Sequence, residues 1–199
     1  MSYEVELKFI DVAFDPLRET LARQEARSLG RYVERNTVFD TPERELRRAD
    51  TLLRLRTRIW GKGEDAILTL KLPPQGEVPV DVKVADERET PVSDANAMGL
   101  ILEGLGYVPV FRYEKMREEW HVDGVDICLD TLPFGMVAEL EGEREAIFTC
   151  AARLGLPMDR ASTETYHALN RQWRERMGLP PMDDFCFSST ALRELIDGL

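Results

Sequence analysis

The sequence predicts an α+β domain built on a mostly antiparallel sheet. About eight short segments alternate apolar and charged residues with a period of two. Helical segments stand between some of them and after the last, a grouping that separates α+β from alternating βαβ folds. The third observation concerns the polar faces of these strands, which are nearly all formal charges, in both signs on different strands. An antiparallel strand with one polar face normally turns it to bulk water. Charges this dense suit the opposite arrangement, a sheet closed on itself. The charged faces then line a water-filled tunnel, and the apolar faces point outward under the helices.

The elements follow in order. Ser2–Ile10 sets Val5, Leu7 and Phe9 against Glu4, Glu6 and Lys8, the alternation of a strand. Asp15 or Pro16 opens a helix running to about Leu29, with Gly30 as its stop. Tyr32–Phe39 is the next strand and stops at Asp40-Thr41-Pro42. Thr51–Trp60 opposes Leu53, Leu55, Thr57 and Ile59 to Arg54, Arg56 and Arg58, and Gly61-Lys62-Gly63 turns it into Asp65–Leu72. The loop Pro73–Pro79 leads into a strand that reaches about Thr90. Ser93 or Asp94 caps a helix to Leu105, ended by Gly106. Three strands come in close succession: Tyr107–Trp120, His121–Leu129 and Met136–Glu143. The remainder is helical, over Glu145–Leu154, Thr163–Met177 and a short piece near Thr190–Ile196. Pro180-Pro181 sets that piece apart as a loosely attached tail, so that residues 1–178 form the domain and 179–199 a helical tail.

Composition narrows the function. A chain of 199 residues with 43% hydrophobic and 32% charged residues has the make-up of one soluble globular domain. A net charge of -11 argues against broad binding to nucleic acid polymers or an anionic membrane, but not against an anionic ligand in a locally basic cleft. Cys128, Cys150 and Cys186 lack CxxC spacing and read as reduced thiols of a cytosolic protein. The first residues carry charges where a signal peptide needs an apolar run, and no stretch approaches the ~20 apolar residues of a membrane span. A cytoplasmic location is expected. His121 and His167 are too few for a His-based metal site, and neither a GxSxG elbow nor a Walker loop is present.

Glu4-Val5-Glu6-Leu7-Lys8 places two carboxylates and an ammonium on one strand face, a set suited to Mg2+ or Mn2+ beside an anion. Glu139-Leu140-Glu141 offers a second acidic pair. Facing pairs at about 6 Å would cost roughly 3 kcal/mol for each like-charge contact at an effective dielectric near 20, unless a cation sits between them. Taken alone, either pair is better read as a solvated strand face. Arg54/Arg56, Lys71 and Lys115/Arg117 set cations at strand spacing, and with Lys8 they match a polyphosphate. Cross-strand salt bridging with the glutamates is the competing reading. Asp130 is either a further ligand or an aspartate that starts a turn.

The ordered set Glu4/Glu6/Lys8, Arg54/Arg56, Lys71, Arg88-Glu89, Lys115/Arg117, Asp130 and Glu139/Glu141 resembles the CYTH superfamily, the triphosphate tunnel metalloenzymes. The initial ExExK is that family's signature, and the resemblance spans roughly Ser2 to Tyr166. It implies an eight-stranded antiparallel β-barrel with helices packed outside. It also implies that Glu4, Glu6, Glu139 and Glu141 bind Mg2+ or Mn2+, with Asp130 as a further acidic residue. Arg54, Arg56, Lys71, Lys115 and Arg117 would then hold a triphosphate, with Arg88 as another phosphate-side cation. Thr165-Tyr166 stands where the family has Ser-Tyr, and Arg160 in place of a nearby lysine.

Two reactions are implied by the resemblance. A triphosphatase uses water to split a phosphoanhydride of tripolyphosphate, thiamine triphosphate or a nucleotide. A class IV adenylyl cyclase uses the ribose 3′-hydroxyl of ATP and releases pyrophosphate. Gly106-Tyr107-Val108-Pro109 ahead of Glu114-Lys115-Met116-Arg117 is similar to the cyclases, but the His-Phe pair they carry upstream of ExExK is absent from the three residues before Glu4. The complete Arg54/Arg56 and Glu139/Glu141 pairs favour hydrolysis, with Lys8 as the conceivable general base if surrounding cations lower its pKa. A noncatalytic module that binds polyphosphate or nucleotide is the alternative of another class. The expected partner is a triphosphate-bearing small molecule, and a homodimer is left open.

Overall fold

A computed structural model describes residues 3–199. The predicted strand from Ser2 is found as β1 (Tyr3–Ile10), Ser2 itself lying outside the described residues. It is followed by α1 (Phe14–Arg23), β2 (Arg27–Asp40), a single helical turn α2 (Glu45–Arg48), β3 (Leu52–Trp60), β4 (Gly63–Leu72), β5 (Lys83–Val92) and α3 (Ala95–Gly104). The second half contains β6 (Val108–Val122), β7 (Val125–Leu132), β8 (Gly135–Glu141), α4 (Arg144–Arg153), β9 (Ala161–Ser162), α5 (Tyr166–Arg176) and α6 (Ser189–Asp197). Neighbours run β5-β4-β3-β2-β6-β7-β8-β1, every pair is antiparallel, and β1 pairs back with β5. The sheet is therefore a closed eight-stranded barrel, with the two-residue β9 added beside β1 and six helices outside.

The outward faces make the main core. Leu7 and Phe9 of β1, Ile127 and Leu129 of β7 and Leu140 of β8 pack under Phe14, Leu17 and Leu21 of α1 and Ile147 and Ala151 of α4. A second outward cluster joins Phe39, Leu53 and Leu55 to Leu102 of α3. That helix starts where the sequence predicts, with the Asp94 side chain accepting from the Ala97 N–H (2.9 Å), and Gly106 follows it at φ +95°.

Three local expectations are corrected. The first helix ends at Arg23, not Leu29, because Glu25 turns left-handed (φ 55°) and the Glu25 and Ala26 N–H groups bond back to Ala22 and Leu21. Leu29 and Gly30 belong instead to β2, where the register against β6 shifts between Ser28 and Gly30. Gly30 there has φ +113°, and a Cβ would meet the Trp60 ring at 3.4 Å. The second correction lies at the β6–β7 boundary. It falls not at His121 but at the Asp123-Gly124 turn, both residues at positive φ as a tight hairpin requires. Third, the segment after Pro180-Pro181 is fastened rather than loose. β7 pairs with β6 only from Met116 to Val122, which leaves the earlier edge of β6 free. Phe185 fills it through a parallel bridge to Tyr113, with Glu114 N–H donating to the Phe185 carbonyl and Phe185 N–H to that of Arg112.

No helix among the described residues is long and apolar enough to cross a membrane.

Candidate active site

The inward faces are set by register. Glu6 is opposite Glu141 and Lys8 opposite Glu139 across the β1–β8 pair, Arg117 opposite Asp130 across β6–β7, and Lys71 opposite Glu87 across β4–β5. Since cross-strand partners share a face, these charges all converge on the barrel interior. They border a cavity of ≈ 460 Å³ that Glu6, Lys8, Arg54, Arg56, Lys71, Lys115, Arg117, Glu139 and Glu141 help to line. A larger surface groove of ≈ 770 Å³, between α3 and the C-terminal segment, contains none of the residues predicted for the site. Volume alone therefore does not locate the chemistry.

One part of the interior is acidic. Oxygens of Glu4, Glu6 and Glu141 lie within 4.8 Å of one another, and Glu139, Glu141 and the Cys128 thiol form a second group of the same size. Burial works against ionised Glu6, but the Lys8, Lys83 and Lys71 ammoniums outweigh it and bring its pKa down to about 2. Glu139 is likewise opposed by burial and held well below the carboxylate range by Lys8, Arg117 and Lys115. Glu141 goes the other way. Burial and the neighbouring Glu139 push it well above that range, and its contact with Arg117 is long at 3.8 Å. Burial also pushes Glu87 up to about 7, against the pull of Lys71. Three converging carboxylates, one of them short of positive charge, are a donor set that fits a hard divalent cation such as Mg2+ or Mn2+.

Beside this acidic group the interior carries cations held in a hydrogen-bonded network. Asp130, fully buried, accepts from Arg117 Nε (2.8 Å) and Nη2 (2.6 Å), Lys115 Nζ (3.0 Å) and the Tyr166 hydroxyl (2.5 Å). The Tyr166 ring stands 5.0 Å from both the Lys8 and the Lys115 ammonium. Glu34, also fully buried, lies 3.5 Å from Arg56 and 3.6 Å from Lys115. Arg54 is held by the Tyr113 hydroxyl (3.1 Å) and Thr69 (3.2 Å), while its Nε–H, buried, has no partner. A buried donor left without a partner costs about 1–3 kcal/mol, which an anion placed beside it would recover.

Residues 2–149 match the model of the CYTH domain, about three-quarters of the sequence. The chain belongs to the CYTH family. CYTH proteins are metal-dependent enzymes of triphosphates, acting as triphosphatases or cyclases. Among solved structures, the chain is similar to a candidate adenylate cyclase from Vibrio parahaemolyticus (22% identity over 85% of this chain and 98% of that one, TM-score 0.75). It is similar also to a Pyrococcus horikoshii OT3 protein (25%, 85% and 98%, TM-score 0.71). A third is a Hippeastrum adenylyl cyclase candidate described as having a dominant triphosphatase activity (18%, 92% and 99%, TM-score 0.62). At these identities the likeness speaks for the fold. No curated protein matches the chain.

Within this CYTH barrel, Glu4, Glu6, Lys8, Arg54, Arg56, Lys71, Lys115, Arg117, Glu139 and Glu141 come together as their alternation predicts. Three expectations do not hold. Arg88 does not face the tunnel: register against β4 puts Glu87 and Glu89 inward, so Arg88 points out, 61% exposed and paired with Asp86. Asp130 is inside but its oxygens are taken by Arg117, Lys115 and Tyr166, which sets it apart from the Glu4–Glu6–Glu141 group. Lys8 is no lowered-pKa base. Burial would lower it, but Glu139 (2.7 Å) and Glu6 (2.5 Å) prevail and raise it above the ordinary lysine value. Arg160, on the outside, donates to the Asp11 carbonyl. Glu34, Lys83, Glu87 and Tyr166 are inward groups that the sequence alone does not single out as ligands. For Lys83, which meets Glu6 at 2.7 Å, the only signal is its place two and four residues before Ala85 and Glu87.

Proposed function

We propose that the protein is a divalent-cation-dependent triphosphatase that splits a phosphoanhydride bond of a substrate lying in the barrel. The observation that carries this reading is that one barrel interior brings the converging carboxylates of Glu4, Glu6 and Glu141 together with Lys8, Arg54, Arg56, Lys71, Lys115 and Arg117. Glu4, Glu6 and Glu141 would hold Mg2+ or Mn2+, with Glu139 beside them. The ion, when bound, withdraws charge from phosphoryl oxygens and makes water a better nucleophile at neutral pH. Arg56, Lys71, Lys115 and Arg117 neutralise the phosphate chain and align it, and Arg54 offers its unpartnered Nε–H. Lys8 acts here as a fixed positive charge between Glu6 and Glu139. Asp130 and Tyr166 keep Lys115 and Arg117 in place.

Among the described residues that line the cavity, no side chain is suited to be the nucleophile. The Cys128 thiol is pushed well up by burial and lies among carboxylates, so it stays protonated. Water is the remaining attacker, and the complete Arg54/Arg56 and Glu139/Glu141 pairs support hydrolysis over cyclisation. The test is product analysis with Mg2+ or Mn2+ and, separately, tripolyphosphate, thiamine triphosphate and ATP. Orthophosphate without cyclic AMP is expected. Cyclic AMP with pyrophosphate would make the protein a cyclase, and binding without products would make it a noncatalytic module.

A further inference from the structure

The segment after Pro180-Pro181 lies beyond the residues that match the CYTH model, yet it is tied closely to β6. On either side of the bridged Phe185, the Arg112 N–H donates to the Asp184 carboxylate (2.7 Å) and the Phe187 N–H to that of Glu114 (3.1 Å). From α5, the buried Asn170 amide donates to the Met182 carbonyl (3.0 Å). The Phe185 ring is thereby delivered to one place. It is buried, stacked on Tyr113 with centroids 5.0 Å apart, and edge-on to Phe134 at 5.5 Å. Tyr113 in turn reaches the cations of the site. Its hydroxyl accepts from Arg54 Nη1 (3.1 Å), while Thr69 accepts from Nη2 (3.2 Å) and donates onward to Glu89 (2.6 Å).

We propose that Phe185 is a positioning residue, which acts through the Tyr113 ring to hold Arg54 ready for a phosphate oxygen. The inference rests on the triphosphate reading of the barrel and extends its site to a segment outside the barrel strands. The two acceptors that hold Arg54 differ in kind. Thr69 is a short side chain on a strand, whereas Tyr113 carries its hydroxyl at the end of a long one, fixed only while the ring is clamped. Phe111 stacks on that ring at 6.1 Å and Phe185 more closely. With Phe185 removed, the ring gains freedom and Nη1 loses its fixed acceptor. Glu87 and Glu89 already lie 3.5 and 3.6 Å from Nη2 and would draw the guanidinium to themselves. Ordering Arg54, with its unpartnered Nε–H, then falls to the ligand and weakens its binding.

A double-mutant cycle in the metal-loaded full chain tests this, read as kcat/KM for the best of tripolyphosphate, thiamine triphosphate and ATP. Tyr113→Phe keeps the ring and removes only the acceptor. It should lower kcat/KM about tenfold, as one hydrogen bond to a charged group warrants. Phe185→Ala should lower it about fivefold or more. In the Tyr113→Phe background the same substitution should lower it by less than about twofold, because the route to Arg54 is already cut. Its effect on melting temperature should be alike in both backgrounds, since the packing it removes is the same. Phe185→Leu keeps bulk without the ring and takes its place in the cycle if the alanine variant does not fold. Equal kinetic losses in both backgrounds would make Phe185 a packing residue only, and an unchanged kcat/KM would equally overturn the proposal. If none of the three compounds is turned over, the triphosphatase reading fails separately. The cycle is then read from calorimetric Kd values for the same compounds with Mg2+, with the same pattern expected. A parent chain that binds none of them overturns both.

Discussion

Asp130 and Glu141 lie on adjacent strands and point into the same barrel, yet their surroundings are opposite. Asp130 is met by two nitrogens of Arg117, by Lys115 and by the Tyr166 hydroxyl, so its charge is neutralised inside the protein. Glu141 is met by Glu4, Glu6 and Glu139, its contact with Arg117 is long at 3.8 Å, and burial drives it towards the protonated form. A buried carboxylate with its own cations stabilises a wall. One without them is waiting for a charge from outside. The comparison separates residues that build the site from residues available to a ligand, which spacing alone does not do.

The largest effect should come from breaking the neutralised side. Asp130→Asn leaves Lys115 and Arg117 without their main counter-charge in a dry place, and a loss of about 3–5 kcal/mol is expected in denaturant titration. A variant as stable as the parent would mean that water reaches this wall. On the other side, Glu141→Gln should leave the metal-free fold equally stable or firmer while turnover disappears. In the parent, Mg2+ or Mn2+ at about a hundredfold its Kd should add about 2.7 kcal/mol, reversed by EDTA. That increment should vanish in Glu141→Gln, and its survival would take Glu141 out of the ligand set.

Glu87 sharpens the contrast through pH. Its folded pKa of about 7 lies above the usual carboxylate value of 4.5, so its stabilising contribution is whole below 4.5 and is lost as pH rises through 7. With EDTA present, Glu87→Gln should match the parent near pH 4 and exceed it at pH 8, by roughly 1–3 kcal/mol. Glu6 has the opposite sign. Its contribution is present above 4.5 and lost as pH falls towards about 2, so its glutamine variant should forfeit stability at neutral pH. The smallest effect belongs to Arg88→Ala, within about 0.5 kcal/mol of the parent in stability and with unchanged kinetics. Arg56→Ala, by contrast, should raise KM and lower kcat together. Equal kinetic losses in both would contradict the inward placement of Glu87 and Glu89.

What the sequence made legible follows the same physics. On β1, β3 and β8 one face is free of charge, so alternation alone assigns Glu4, Glu6, Arg54, Arg56, Glu139 and Glu141 to the other side. On β5 both faces carry charge, as Asp86 and Arg88 alternate with Glu87 and Glu89. Period two then cannot choose between them, and only pairing with β4 does. Glu34 is hidden for a similar reason, since its neighbour Arg35 is also charged. Tyr166 and Phe185 come from segments after the barrel, and no local pattern announces that they reach its interior. Gly30 reads as a helix stop in the sequence, whereas in the fold it accommodates a bulge against Trp60.

The pairing of β1 carries a consequence for how the chain is made. Among the described residues, the ladder partners of the first strand lie in 83–92, 135–141 and 161–162, so nearly half the chain must be made before it can begin to pair and about seven-tenths before it meets β8. Such long-range closure slows folding. The last step of barrel assembly is thus also the step that first gathers Glu4 and Glu6 with Glu141, because these carboxylates come from the opening and the closing strand of the ring. An ion that binds the three has no site on any partly folded chain. It would act as a clasp on the finished ring, slowing its reopening without hastening its closure.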